Sequence, residues 1–324
     1  MQTAQRTHSM PRASGLFSTL AALTRPSQRR RDGFVCEKQG LQDPAAPQRK
    51  RAIHGLGKYL GDERHQDQAL NLLCAFIRQH APRYTPVLTK DPTDWAEWGA
   101  SVRARLPSDI ELALTMVARY VALHPNGARP DLSDIRLAAL FLGQRNLSRV
   151  TLQDSSLAGA NLMHTRMNDT RLFRTDLRGA KLDGAQMQGA LLADTQLLQA
   201  SMVRTNLSHA RLIHADLRQT RMTHANLRGA FLWRSAFDET TDLTQITLTG
   251  AALRDLDLRQ TGINATDMWQ AFGDVSVLLP DNITPHSALW PDHWSRKQLG
   301  HDEFRDRWRR WQAKIGFQSR QNPQ

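Results

Sequence analysis

The side chains best suited to chemistry are four histidines that share one place in a five-residue spacing: His164, His209, His214 and His224. Imidazole nitrogens bind metals and transfer protons, and His209 and His214 are close enough in sequence to meet around a turn of the chain. Each histidine, however, lies two positions after a bulky apolar residue, where a solvent-facing side chain is expected. A surface position is the favoured interpretation, with a metal site at His209 and His214 as the alternative.

Other catalytic or cofactor-binding motifs do not occur in the sequence. A Gly-rich phosphate loop, an HExxH motif and a G-x-S-x-G motif are all missing. Cys36 and Cys74 have no cysteine or histidine at zinc-ligand spacing, and so few cysteines suit a reducing compartment better than a disulfide framework. We therefore expect no enzymatic activity, no cofactor and no metal, and a cytoplasmic location.

A bulky apolar residue returns at every fifth position from Leu132 to Phe237 and, after one inserted residue, from Leu243 to Met268. A step of five rotates by about 140° around a helix and switches faces along a strand, so neither element fits. The chain must turn once per repeat and point these residues at a common axis. From Ala160 to Ser235 the residue two places before each bulky one is small, as a filled interior requires. We expect an all-β solenoid whose core contains Leu162, Leu172, Leu177, Leu182, Leu192, Leu207, Leu212, Leu217 and Leu227.

Several repeats fit the pattern A-(D/N)-L-x-x, among them Ala160–Leu162, Thr175–Leu177, Ala215–Leu217 and Ala225–Leu227. The array resembles the pentapeptide repeat proteins. This resemblance implies a right-handed quadrilateral parallel β-helix with four repeats per coil, stacked through short parallel bridges. It covers under half of the chain, and it is specific for the fold rather than for a function.

The chain divides into four segments on composition and periodicity. Residues 1–46 are expected to be a basic, disordered tail, residues 47–129 an α-helical domain that caps the solenoid, residues 130–270 the repeats, and residues 271–324 a C-terminal cap with an amphipathic helix.

Two helices are predicted before the repeats. The first has one apolar face, formed by Leu70, Leu73, Cys74 and Ile77. The second begins at Ser108, where a capping box with Glu111 follows Pro107, and its apolar stripe consists of Ile110, Leu114, Val117 and Val121.

A second resemblance links Asn71–Arg78, Pro107–Thr115, Phe272–Val277 and Pro291–Trp294 to a bacterial subgroup of pentapeptide repeat proteins. That subgroup has a helical preface and a Trp-rich C-terminal extension. Many of its members begin with transmembrane helices. We find none in this sequence, so membrane anchorage is not carried over.

At the C-terminal end, Phe304, Trp308, Trp311 and Ile315 are spaced for one face of a helix that stops near Gly316. Its polar side carries Arg305, Arg309 and Arg310. Such a helix needs a surface on which to bury its aromatic side chains.

With four repeats per coil, residues twenty apart stack, and one side of the solenoid collects apolar residues: Phe173, Leu191, Ala193, Ile213, Phe231 and Trp233. A continuous apolar strip on a polar rod predicts a docking surface. Three occupants are open at this point: the chain's own helix through Phe304, Trp308 and Trp311, a second copy in a homodimer, or another protein.

The formal net charge is +12, and it is concentrated in residues 1–130, which hold 19 basic against 11 acidic residues.

We favour a non-enzymatic scaffold for protein partners, in an unknown pathway. A nucleic-acid or topoisomerase-related role is the first alternative, either directly through the basic segment or by the DNA mimicry that resemblance to quinolone-resistance pentapeptide proteins implies. Residues 131–270 disfavour mimicry, with 16 basic against 14 acidic residues.

A membrane-associated or secreted effector is the remaining alternative. It rests on the apolar residues 15–24, which could act in targeting but are too few to span a bilayer, since about 20 are needed.

Overall fold

The structure, a computed structural model, describes residues 26–81, 93–95, 97 and 106–318. Its N-terminal part contains the helices α1 (Pro26–Gly40), α2 (Ala46–Gly57), α3 (Gln66–His80) and α4 (Ser108–Leu123). Helix α1 packs on α2, and α4 packs on both α2 and α3. None of the helices in these ranges is long and apolar enough to cross a membrane.

The first helix corrects the prediction of a disordered tail up to residue 46. Phe34 and Leu41 are buried in the main hydrophobic core, and a Cβ on Gly40 would lie 2.9 Å from Cβ of Ala52. Phe34 lies within α1, and Leu41 follows directly after its last residue. The composition, dominated by Arg and Gln, hid this pair of apolar anchors. Residues 1–25, with the candidate targeting segment 15–24, lie outside the described residues.

Helix α3 has the predicted apolar face, with Leu70, Leu73, Cys74 and Ile77 all buried. Helix α4 begins at Ser108 as predicted, but the capping box is wrong. Pro107 occupies the N-cap position, and no side chain caps the helix. Glu111 instead accepts a hydrogen bond from Arg145 of the first coil. A capping box requires the serine at the N-cap, and here it is the first helical residue.

In the repeat segment, parallel bridges join residues twenty apart. Successive bridges start at positions five apart, and four occur before the chain returns to the same column: Asp131↔Thr151, Arg136↔Ser156, Phe141↔Asn161 and Asn146↔Arg166. In one column the bridges extend into the strands β1 (Leu191–Ala193), β2 (Arg211–Ile213), β3 (Phe231–Trp233) and β4 (Ala252–Arg254), which pair in that order. The inserted residue lengthens one coil, so Phe231 pairs with Ala252. The segment is a parallel β-helix.

The interior of the β-helix is filled by the central residue of each repeat. The nine leucines predicted for the core are each at most 1% exposed. The small residue two places earlier is often threonine, and its hydroxyl donates to a main-chain carbonyl of the preceding coil, as from Thr175 to Leu152 O and from Thr195 to Leu172 O, at 2.8 and 2.7 Å. Threonine therefore replaces alanine without leaving a buried polar group unpaired.

Each repeat from Leu132 to Leu232 ends in a turn whose residue has a positive φ. Examples are Asp154 at 56° and Arg174 at 52°, and Gly179, Gly229 and Gly250 occupy the same position. These corners turn the chain toward the next bridge. The outward residues on either side of each central residue therefore form straight columns along the β-helix.

Both ends of the β-helix are covered. At the first coil, Leu132 and Ile135 join the same core as α2, α3 and α4, and Arg78 of α3 donates to the carbonyl of Asp131 at 3.1 Å. At the other end Leu278 bridges to Asp257. Further bridges join Phe272 to Ala252 and Ser295 to Asp274. The backbone groups of the terminal coils thus find partners.

One buried ion pair holds the N-terminal helices together. Arg49 of α2 donates from Nε to Asp109 of α4 at 2.8 Å, and its Nη1 donates to the carbonyls of Asp43 and Pro44. We expect Asp109→Ala to lower the free energy of unfolding by about 3–5 kcal/mol, because it leaves a buried guanidinium without its carboxylate. Urea denaturation measures this. Asp302→Ala, which removes an exposed carboxylate on the C-terminal helix, should change stability by less than about 0.5 kcal/mol; equal losses in both variants would contradict the assignment.

Candidate interaction surface

The strands β1 to β4 place two columns of side chains on one outer side of the β-helix. Within β1, Leu192 points inward while Leu191 and Ala193 point outward. The register continues both columns, since Leu191 pairs with Arg211 and Ala193 with Ile213. Neighbouring rows are about 4.8 Å apart, so the outward side chains of successive coils touch.

We call this side the aromatic face. Its covered stretch consists of Phe231, Trp233, Ala252 and Phe272. Its open stretch consists of Phe173, Leu191, Ala193 and Ile213. The six residues that the sequence predicted for a docking face thus share one side of the β-helix.

Helix α5 (His301–Lys314) lies on the covered stretch. Phe304 is 1% exposed, and its ring centroid lies 5.1 Å from that of Phe272 and 6.5 Å from that of Phe231. Trp308 stacks on Phe231 at 5.9 Å, and Trp311 lies 6.0 Å from Phe272. The chain's own helix therefore occupies the C-terminal rows of the face.

Ile315 does not share this contact, in contrast to the predicted stripe, and is 45% exposed. The helix ends at Lys314, and Gly316 has a φ of 68°, which turns the chain out of the helical path. Phe317 instead packs beside the corners of the β-helix at Gly229 and Gly250. Its ring centroid lies 5.7 Å from that of His209.

Two hydrogen bonds fix α5 to a corner of the β-helix. Trp308 Nε1 and Gln312 Nε2 both donate to the carbonyl of Gly250, at 2.9 and 2.7 Å. Gly250 has a φ of 75°, and a Cβ there would lie 2.6 Å from the Phe317 ring. Sequence reasoning missed Gln312, Phe317 and Gly250. The only signal was that Gly229 and Gly250 share one corner on successive coils.

Trp233 links the sheet to the start of α5. Its indole N–H donates to Asp255 Oδ2 at 2.7 Å, and its ring lies 5.8 Å from that of His301. Burial is the largest single effect and raises the pKa of Asp255, but the hydrogen bonds from Trp233, Arg234 and Ser276 and the charge of Arg254 together lower that pKa. Arg254 also donates to the carbonyl of Leu299, two residues before α5, at 2.9 Å, which holds the start of the helix in place.

The open stretch has no such cover among the described residues. No ring contact, hydrogen bond or ion pair of those residues joins α5 to Phe173, Leu191, Ala193 or Ile213. All four side chains are partly exposed. The apolar face thus continues beyond the helix that covers its other half.

A second side of the β-helix carries a different cover. Trp95 is 2% exposed and packs against Ala138, Ala158 and Leu198. The guanidinium of Arg178 lies 3.8 Å from the centroid of its ring. The sequence analysis did not single out Leu198 or Trp95. Ala138 and Ala158 are small residues one coil apart, and this pair was the sequence signal for a surface on which Trp95 could pack.

The four histidines singled out by their spacing have separate environments. His214 Nδ1 lies 3.2 Å from Asp194 Oδ1, and His209 contacts Phe317. His164 and His224 are exposed. Within the described ranges, no three or more histidine, cysteine or acidic residues are grouped so that they could hold a metal ion. Both cysteines are free thiols, and burial raises the pKa of Cys74 to about 12.

We expect Phe304→Ala to detach α5, because it removes the side chain that is most deeply buried between helix and face. The free energy of unfolding should fall by about 3–5 kcal/mol, and amide exchange in α5 should accelerate. Chemical denaturation and hydrogen exchange measure the two effects. Arg309→Ala on the exposed side of the helix is the matched control; unchanged exchange in the Phe304 variant would refute the docking.

His293 makes the stability of the C-terminal cap depend on pH. Its ring stacks on Trp311 with the centroids 4.8 Å apart, and its Nε2 lies 2.6 Å from the carbonyl oxygen of Ala271. Burial lowers its pKa below 6.5. The unfolded chain therefore takes up a proton at higher pH than the folded chain, so acidification favours unfolding. We expect the melting temperature to fall between pH 7.5 and 5.5, and His293→Gln to weaken this fall. An identical pH profile in the variant would disprove the role of His293.

Comparisons with known proteins match this architecture to one family. The model of the pentapeptide repeats matches residues 170–208 and 205–241, with eight copies. A comparison with curated proteins finds no match.

Among solved structures, the chain is similar to the pentapeptide repeat protein Rfr23 from the cyanobacterium Cyanothece 51142. Sequence identity is 22%, the TM-score is 0.34, and the match covers 35% of this chain and 90% of that one. It is also similar to QnrB1, a plasmid-mediated fluoroquinolone resistance protein, with 12% identity, a TM-score of 0.32, and coverage of 57% of this chain and 92% of that one. HetL from Nostoc sp. strain PCC 7120, involved in heterocyst differentiation regulation, has 23% identity and a TM-score of 0.17, with coverage of 50% of this chain and 90% of that one.

The eight matched copies lie within the bridged coils of the β-helix. Residues 170–241 are therefore pentapeptide repeats, and the structure arranges them as coils of a parallel β-helix.

Proposed function

We propose that this chain is a non-enzymatic interaction module, and that a protein partner binds the open stretch of the aromatic face. The observation that carries this proposal is the continuity of the face. Phe173, Leu191 and Ile213 lie in the same two columns of side chains as the residues that contact α5. A surface that already binds one amphipathic helix is chemically suited to bind a second apolar segment.

The rigidity of the β-helix supports a binding role. Each coil is held to the next by main-chain hydrogen bonds, such as Arg211 N to Ala190 O at 2.9 Å and Phe231 N to Ala210 O at 2.9 Å. A surface fixed in this way loses little conformational entropy when a partner binds. Four bridges per coil also support a quadrilateral cross-section, which we propose for the whole array.

Paired charges on the array disfavour DNA mimicry. Arg178 pairs with Asp176, Arg218 with Asp216 and Arg259 with Asp257. A mimic of DNA needs a dense row of uncompensated negative charge, because each phosphate carries one. These carboxylates are neutralised by arginines two residues away.

The remaining parts of the chain fit the same proposal. We assign residues 47–129, together with α1, to an N-terminal cap, residues 130–270 to the β-helix and residues 271–324 to the C-terminal cap. The helices and the tryptophan contacts of these caps support membership in the bacterial subgroup with a helical preface. Two free thiols, at Cys36 and Cys74, are the basis for proposing a cytoplasmic location.

Affinity purification of the full chain beside variants tests the proposal. We expect a specific protein partner to be retained by the wild type and lost by the double variant Phe173→Asp, Ile213→Asp, because two buried carboxylates would disrupt an apolar contact. Trp233 is unsuited to this test, since it contacts the start of α5.

Phe141→Asp is the matched control. Phe141 is an apolar residue of another column and is 58% exposed, so its replacement should leave the partner bound. Melting temperatures of all variants show whether the fold is retained. Capture of the same proteins by the wild type and the double variant, or of none by either, would count against the proposed function.

A further inference from the structure

We propose that the segment bound by the open stretch is an acidic, amphipathic segment of a partner protein. Its apolar side chains would pack on Leu191 and Ile213, and its carboxylates would pair with Arg171 and Arg211. The inference rests on the proposed function, since it specifies the partner chemistry of the same surface.

Arg171 and Arg211 lie in the same column of side chains as Leu191, one coil before it and one coil after it. Arg171 bridges to Leu191, and Leu191 pairs in register with Arg211, so the two arginines are two strand spacings, or about 10 Å, apart. Both are exposed. No ion pair joins either of them to a carboxylate of the described residues. They therefore offer two free positive charges beside Leu191.

The opposite edge of the open stretch is neutralised. Arg174 donates two hydrogen bonds to Asp154, at 2.5 and 2.7 Å, and its guanidinium lies 4.5 Å from the centroid of the Phe173 ring. His214 lies beside Asp194. The positive charge thus belongs to one edge only, and this asymmetry fixes the side on which the carboxylates of a bound segment would lie.

Two further arginines, Arg129 and Arg149, lie near Arg171. Burial, and then the charges of Arg171 and Arg149, lower the pKa of Arg129. Asp169 is the carboxylate that opposes this shift, so three guanidinium groups act against one carboxylate. Arg149 donates to the carbonyls of His124 and Gly127, and Arg129 to the carbonyl of Asp169, rather than to carboxylates. This end of the open stretch therefore attracts an anionic segment.

The charges of α5 argue against a second copy of the same helix as the occupant. Its two paired acids, Asp302 and Glu303, already bind Arg305 and Arg307. The other exposed charges of the helix are Asp306, Arg309, Arg310 and Lys314, which together are net positive. An α5 from another copy would bring arginines toward Arg171 and Arg211, and like charges in contact disfavour that complex.

Three labelled 12-residue peptides with one shared apolar pattern, and with Glu, Lys or Ser at every polar position, test the inference. Fluorescence anisotropy with the full chain measures their affinities. We expect the Glu peptide to bind most tightly and to weaken as salt is raised, because exposed charges are screened. The double variant Arg171→Glu, Arg211→Glu should bind the Glu peptide at least about tenfold more weakly and should prefer the Lys peptide.

Arg166→Glu, Arg204→Glu is the matched control, with the same change in net charge at exposed arginines of other columns. It should bind the Glu peptide like the wild type. Equal binding of the Glu and Lys peptides by the wild type, equal losses in the two double variants, or no binding of the Glu peptide would each overturn the inference.

The peptides also separate this inference from the proposed function. A Ser peptide that binds as tightly as the Glu peptide, and is lost only in Phe173→Asp, Ile213→Asp, would overturn the acidic partner and leave the interaction module standing. If no peptide binds, the acidic partner is overturned, and the affinity purification decides the proposed function by itself. Melting temperatures confirm that each variant is folded, and the salt dependence on the wild type needs no variant.

Discussion

The structure depends on main-chain hydrogen bonds that run from each coil to the next. Leu172 N donates to the carbonyl of Leu191, and Leu192 lies one coil further along the same filled axis. Because these bonds join residues about twenty positions apart, no coil satisfies its own backbone, and each depends on its neighbours. The same dependence makes the two ends the weak points of the array. It explains why helices cover one end and residues 272–295 pair at the other.

Much of the fold was predictable because the array repeats a single environment. A period of five excludes both helix and strand, so the position of every central leucine follows from counting. The caps do not repeat, and each of their contacts is particular. Arg49 and Asp109, or Gln312 and Gly250, are far apart in sequence and share no pattern. Helix α1 was missed for the same reason: its two apolar anchors stand in a segment whose composition is that of a disordered tail.

The candidate surface was predictable in part. Stacking by twenty residues collected Phe173 through Trp233 on one side, because the columns are straight. The extent of the cover was not predictable, since it depends on the position of α5 along the columns. That position is set by Gly250, whose carbonyl accepts from Trp308 and Gln312 and whose missing side chain admits Phe317. A corner glycine thus decides which rows of the face are used within the chain and which remain open.

On this side of the β-helix, each coil adds one outward residue to each of the same two columns. The length of the open stretch is therefore a whole number of coils. Duplication of one coil between Phe173 and Ile213 would add one row, or about 4.8 Å of contact, and would leave both caps on their own coils. Loss of a coil would shorten the stretch by the same step. Gene duplication within the repeats can therefore tune the number of contacts with a partner without any redesign of the ends. The contact area of this surface can therefore change in steps of one coil.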